Sequence, residues 1–117
     1  MGSNDLSILN KMDDCIFCKI VKKEIPAEVL RETPEAVIFK DIKPSAPIHY
    51  LVVSKKHIPS IKEVGHEDEA LMGHLICEAK AAAEKLGLSG YKLVFNVGRD
   101  GGQIIDHIHL HLLGGWK

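Results

Sequence analysis

From His107 to Leu113, histidines alternate with aliphatic residues: His107, Ile108, His109, Leu110, His111, Leu112, Leu113. Such alternation reads as a β-strand, whose successive side chains point to opposite faces of a sheet. The three imidazoles then share one face at intervals of roughly 6.5–7 Å, and Ile108, Leu110 and Leu112 occupy the other. A half-buried strand turns its apolar face to the core. Three histidines on the second face are chemically costly as decoration, because imidazole serves as nucleophile, proton carrier or metal ligand near neutral pH. This strand is the expected seat of function.

The rest of the chain reads as one α+β domain. Cys15 to Lys23 fits a short helix ended by Ile25-Pro26. Val29 to Glu32 and Ala36 to Lys40 read as strands joined through Thr33-Pro34-Glu35. Asp41 to Pro47 holds two prolines and reads as a loop. His49 to Ser54 is a third strand, Tyr91 to Val97 a fourth, Gly98 to Asp106 a glycine-rich loop, and His107 to Leu113 the fifth strand. Glu67 to Leu86 is the one long helix, with an apolar stripe of Met72, Leu75, Ile76, Ala79, Ala82, Ala83 and Leu86 and with Gly87 at its end. Mostly sequential strands imply a five-stranded antiparallel sheet with one face covered by that helix. Residues 1–12 lack periodicity and read as a flexible leader, leaving residues 13–117 as the domain.

Composition narrows the class of function. With 117 residues, 45% apolar and 26% charged, the chain is a single-domain globular type. A formal net charge of −1 argues against a broad nucleic-acid footprint. No apolar run approaches the roughly 20 residues of a membrane span, and no signal peptide opens the chain. Three cysteines do not suggest a disulfide framework, so a reducing, cytoplasmic setting is expected.

Adjacent glycines in Gly98-Arg99-Asp100-Gly101-Gly102-Gln103 let backbone N–H groups approach an anion, as in phosphate-cradling loops, although most such pairs are simply turns. Asn96 offers a neutral donor beside that loop. Cys15 and Cys18 have a spacing common in zinc sites, but structural zinc needs four ligands. Without a metal they would be small buried hydrophobes, and a redox pair is disfavoured because no strand precedes the motif. Cys77, in the long helix, reads as packing. Lys55 and Lys56 read as a solvated basic face able to steer an anion.

The run GGQIIDHIHLHLLGG resembles the signature of the histidine triad (HIT) family, His-φ-His-φ-His-φ-φ with φ apolar, after a Gly-Gln turn. The resemblance extends through CIFCKIVKKEIPAEVL, DIKPSAPIHYLVVSKKHI and GYKLVFNVGRDGGQ, and is strongest to the histidine triad nucleotide-binding proteins. It implies a HIT-like fold with one long and one short helix. It implies that His109 attacks the α-phosphorus of a nucleotide to form a nucleotidyl-histidine, with His111 beside the phosphate oxygens. His49 would complete the histidine cluster and His107 would support it. It further implies that Asp41 accepts hydrogen bonds from the ribose, that Ile42 and Phe39 flank the base, and that Gly102, Gln103 and Asn96 stabilise phosphate charge. The sequence departs from the family pattern at Ile104, where many relatives carry a serine hydroxyl, and at Asp106, which should face away from His107. By the same resemblance, His57 and His107 would join Cys15 and Cys18 around a structural zinc.

The implied activity is hydrolysis of purine nucleoside 5′-phosphoramidates without a catalytic cofactor, acting on AMP- or GMP-type substrates. Hydrolysis of dinucleoside polyphosphates and purine-nucleotide sensing with weak turnover are the alternatives. The resemblance also implies a homodimer built on the long helix and the Tyr91–Val97 edge, with no nucleic-acid or membrane partner.

Overall fold

A computed structural model describes residues 14–117; the leader expected over residues 1–12 lies outside the described residues. Five strands form: β1 (Val29–Glu32), β2 (Ala36–Lys40), β3 (Ile48–Ser54), β4 (Tyr91–Val94) and β5 (His109–Gly114). They make one antiparallel sheet in the order β1-β2-β3-β5-β4. The short helix α1 spans Ile16–Val21 and the long helix α2 spans Glu69–Lys85.

Side-chain alternation divides the sheet into two apolar layers. On one face Ile38, Val52, Leu110 and Leu112 pack against Leu75, Ala79, Ala82 and Ala83 of α2. Three alanines on the helix let it lie close to the strands. On the other face Val37, Phe39, Leu51 and Val53 pack against Cys15, Phe17 and Cys18 of the α1 segment. With both faces covered, β2 and β3 are nearly continuous apolar runs. The long helix covers one face as expected, and the short-helix segment covers the other.

Several boundaries differ from expectation for identifiable reasons. β5 starts at His109 because the His107 N–H turns back to the Ile105 carbonyl at 2.9 Å and the Ile108 N–H goes to Ile58 at 2.7 Å. His107 therefore precedes the strand, and only His109 and His111 share its face. β4 stops at Val94, opposite His111, as the chain turns to bring Asn96 to that ring. A 3-10 turn over His66–Asp68 precedes α2. Ile76 is 48% exposed and Cys77 is also exposed, so both lie outside the buried stripe. Lys55 and Lys56 are ion-paired, to Glu32 at 2.7 Å and to the buried Asp68, rather than free.

Candidate functional site

The β3–β5 register sets Leu51 opposite His111 and Leu113 opposite His49, so His49 and His111 meet on the diagonal, on the face that carries α1. His49 Nε2 lies 2.9 Å from His111 Nδ1 and 3.4 Å from an Asp41 carboxylate oxygen. The His109 and His111 rings stand 4.9 Å apart. Asp41, just past β2, is held by its N–H bond to the His49 carbonyl at 3.0 Å. Its other carboxylate oxygen accepts from the Lys43 N–H at 2.8 Å, so it also caps its own loop.

Hydrogen bonds assign the tautomers. His109 Nδ1 lies 2.6 Å from the His107 carbonyl, which can only accept. The proton therefore sits on Nδ1, and the His109 Nε2 lone pair is free. The Ser45 N–H donates to His49 Nδ1 at 3.0 Å, so His49 carries its proton on Nε2 and donates to His111 Nδ1. His111 in turn carries its proton on Nε2, which lies 3.4 Å from the Asn96 side-chain amide. The chain of bonds is consistent when the amide oxygen of Asn96 faces that proton.

The glycine-rich loop is a closed turn. The Gly102 and Gln103 N–H groups donate within the loop, to the Arg99 and Gly98 carbonyls at 3.0 and 2.9 Å. Gln103 is buried as a brace: its side-chain oxygen accepts from the Gly98 N–H, and its nitrogen donates to the Pro59 and Ile105 carbonyls at 2.7 and 2.9 Å. Gly102 adopts φ +89°, and a Cβ there would stand 3.9 Å from Asn96, so the loop runs beside the histidine row. Asp106 forms a two-pronged pair with Arg99 at 2.9 and 3.0 Å, and Arg99 also donates to the Gln103 carbonyl at 2.7 Å. Phe39 is buried against Phe17, whereas Ile42 is 88% exposed at the Asp41 end.

A second cluster adjoins the first. The Cys15 and Cys18 sulfurs and the Nδ1 atoms of His57 and His107 all lie within 4.8 Å of one another. His107 Nδ1 is 3.3 Å from Cys15 Sγ, 3.5 Å from Cys18 Sγ and 3.1 Å from His57 Nδ1, which is itself 3.1 Å from Cys18 Sγ. Ligand-to-ligand edges of a tetrahedral zinc site are about 3.4–3.8 Å, so these groups need little movement to hold such an ion. His107 Nε2 donates to the Ser54 carbonyl at 2.7 Å, which leaves the Nδ1 lone pair aimed into the cluster. Burial, with Cys15 alongside, pushes the Cys18 thiol up to about 11 in the absence of an ion; a bound cation reverses that preference. This donor set fits a metal.

Burial keeps the imidazoles neutral. It pushes His107 down to about 4 against the opposing pull of the Ser54 carbonyl, and His111 down to about 4 with help from His109 and His49. Burial also holds His109, His49 and His57 below the ordinary 6.5. An unfolded chain protonates its imidazoles near 6.5, whereas folded His111 waits until about 4. Within that window the unfolded state binds more protons, so stability declines as pH falls. Denaturation midpoints measured from pH 7 to pH 4 should fall, and more gently in His111→Gln; a flat parental profile would contradict this account.

Sequence reasoning brought together every residue of both clusters but missed the groups that orient them. Ser45 and Ser54 act through backbone atoms, which leave no compositional signal. Phe17 lies between the two cysteines in sequence, and nothing in the local pattern marks its contacts with both clusters.

Comparison with known proteins agrees with this geometry. The family model described as "Scavenger mRNA decapping enzyme C-term binding" matches residues 14–115. An uncharacterized HIT-like protein of Synechocystis is 44% identical over 104 residues, covering 88% of this chain and 91% of its own length. The crystal structure of a HIT family hydrolase from Legionella pneumophila superposes with a TM-score of 0.86 at 49% identity, covering 89% of this chain and 95% of that one. A histidine triad nucleotide-binding protein from Candida albicans gives a TM-score of 0.77 at 33% identity, over 89% and 83% of the two chains.

Proposed function

Because the chain belongs to the histidine triad family, we propose that it is a nucleotide-binding hydrolase that cleaves the P–N bond of purine nucleoside 5′-phosphoramidates through a nucleotidyl-histidine. The observation that carries this reading is the His109 Nδ1–H bond to the His107 carbonyl at 2.6 Å, which leaves Nε2 unprotonated within the histidine row. A neutral imidazole oriented in this way is a competent nucleophile.

His109 Nε2 attacks the α-phosphorus, and its new N–P bond forms as the substrate P–N bond breaks. The departing amine takes a proton from solvent, since Ile104 offers no hydroxyl. Positive charge on the His109 ring is met by the His107 carbonyl. The Asn96 amide N–H stabilises the phosphate oxygens, and the His111 Nε2–H joins it by turning from the Asn96 oxygen to the substrate, with Gly102 and Gln103 shaping the loop beside them. Water then attacks phosphorus, the bond to His109 breaks, and the nucleoside monophosphate leaves. Asp41 receives the ribose hydroxyls, and Ile42 and Phe39 shape the base end. His49 holds His111 in its tautomer.

The observation of Cys15, Cys18, His57 and His107 in one cluster supports a structural zinc that joins the α1 segment to the chain entering β5. It would supply rigidity, not reaction chemistry. The exposed Ile76, Tyr91 and Leu93 on α2 and the edge strand β4 support a homodimer. Sedimentation should give the mass of two chains, and the mass of one would overturn it. Cys15 and Cys18 placed to hold a metal, and Cys77 exposed as a thiol, suit a reducing cytoplasm.

A second reading, hydrolysis of dinucleoside polyphosphates, would use the same His109 nucleophile and differ only in the leaving group. A chase with labelled adenosine phosphoramidate and diadenosine polyphosphate tests both: acid-labile label on the protein supports the enzyme, and the preferred leaving group identifies the substrate class. Tight AMP binding with no trapped label from either substrate would instead mark a nucleotide sensor.

A further inference from the structure

The ring of Phe17 is 4% exposed and touches both clusters. Its centroid lies 5.0 Å from that of His109 at an interplanar angle of 78°, and 5.9 Å from that of His107 at 77°. Phe39 closes another side at 5.6 Å. These are edge-to-face contacts, the favoured geometry for aromatic pairs. His109 otherwise has one polar restraint, the bond from Nδ1 to the His107 carbonyl. One such bond selects a tautomer but leaves the ring free to tilt about the N–H···O line. The Phe17 ring, with its centroid 5.0 Å away, limits that freedom together with the His111 ring at 4.9 Å. The position of Phe17 is in turn set by its flanks, since Cys15 caps α1 and accepts from the Cys18 N–H at 3.4 Å.

We propose that Phe17 is a positioning residue for His109, and that the Cys15–Cys18 frame acts on the nucleophile through it. This rests on the reading of His109 as nucleophile. The position of the reacting nitrogen matters because a misplacement of about 1 Å can cost on the order of 100-fold in rate.

The test uses the full chain with its metal bound, as Phe17→Leu and, in case leucine prevents folding, Phe17→Met. Bound metal per chain and AMP affinity should stay within about 2-fold of the parent, while single-turnover transfer of the nucleotidyl group to His109 should fall about 10- to 100-fold. Exchange of the His109 Nδ1 proton, read by nitrogen-15 NMR without substrate, should accelerate. Parental transfer rates would overturn the proposal. So would a loss seen only as weaker AMP affinity, which would make Phe17 a wall of the nucleotide pocket, or a loss that tracks metal content. If the parent itself transfers no nucleotidyl group, the hydrolase reading fails, and unchanged proton exchange in the variants would separately sink the positioning role.

Discussion

His109→Ala is expected to reduce formation of the labelled nucleotidyl-protein by at least about 1,000-fold while leaving AMP binding within a few-fold of the parent. The asymmetry follows from the geometry. Of His49, His109 and His111, it is His109 that keeps a ring nitrogen whose lone pair its hydrogen bonds leave free, since His49 Nδ1 accepts from Ser45 and His111 Nδ1 accepts from His49, while the free nitrogen of His107 faces the cysteine cluster. No neighbour can replace it without breaking that chain. The nucleotide-facing groups proposed at Asp41, Asn96 and His111 remain. Isothermal titration with AMP alongside the labelling assay separates the two effects. Retained labelling in the variant would remove His109 from its assigned role, and a matching collapse of AMP affinity would show that the pocket had been lost instead.

Cys18→Ser carries the largest expected effect on stability. The variant should retain less than about one-tenth equivalent of metal and melt at least about 10 °C below the parent, because a structural metal contributes its binding free energy directly to folding. A chelator should lower the parental melting temperature by a similar amount and leave the variant unmoved, which separates loss of metal from repacking in the cluster of Phe17, Val37 and Val53. Less than about one-tenth equivalent of zinc in the purified parent would sink the zinc assignment.

Local patterning made much of this molecule readable. The bounds of β1 and β2 coincide with the apolar runs and the Thr33-Pro34-Glu35 turn, since hairpins of this kind are determined by neighbouring residues. The Cys-x-x-Cys spacing and the alternating histidines marked both clusters. What stayed hidden depends on contacts remote in sequence. His107 reads as the first member of a strand, but the Ile105 and Ile58 carbonyls take its backbone and that of Ile108 out of the ladder. Gly101-Gly102 reads as a turn or as an anion-binding loop, and in the fold its N–H groups close on the loop itself as a turn does. Asp106 reads as an isolated carboxylate facing away, and only the fold shows that it locks to Arg99. Ile76 follows the helical period and still lies outside the core, because the alanine-rich face of α2 is the one that meets the sheet.

The placement of β5 between β3 and β4 has a consequence for biosynthesis. As the chain is made, β1, β2 and β3 can pair as soon as they emerge, but one edge of β3 waits some 60 residues for its partner. That edge belongs to the apolar strand Ile48–Ser54, the sort of unpaired border that recruits other chains. The nascent protein is thus most prone to aggregate before the histidines arrive, and their strand closes the sheet as it completes the site. Slowed translation between residues 54 and 109 should burden chaperones more than any delay after it.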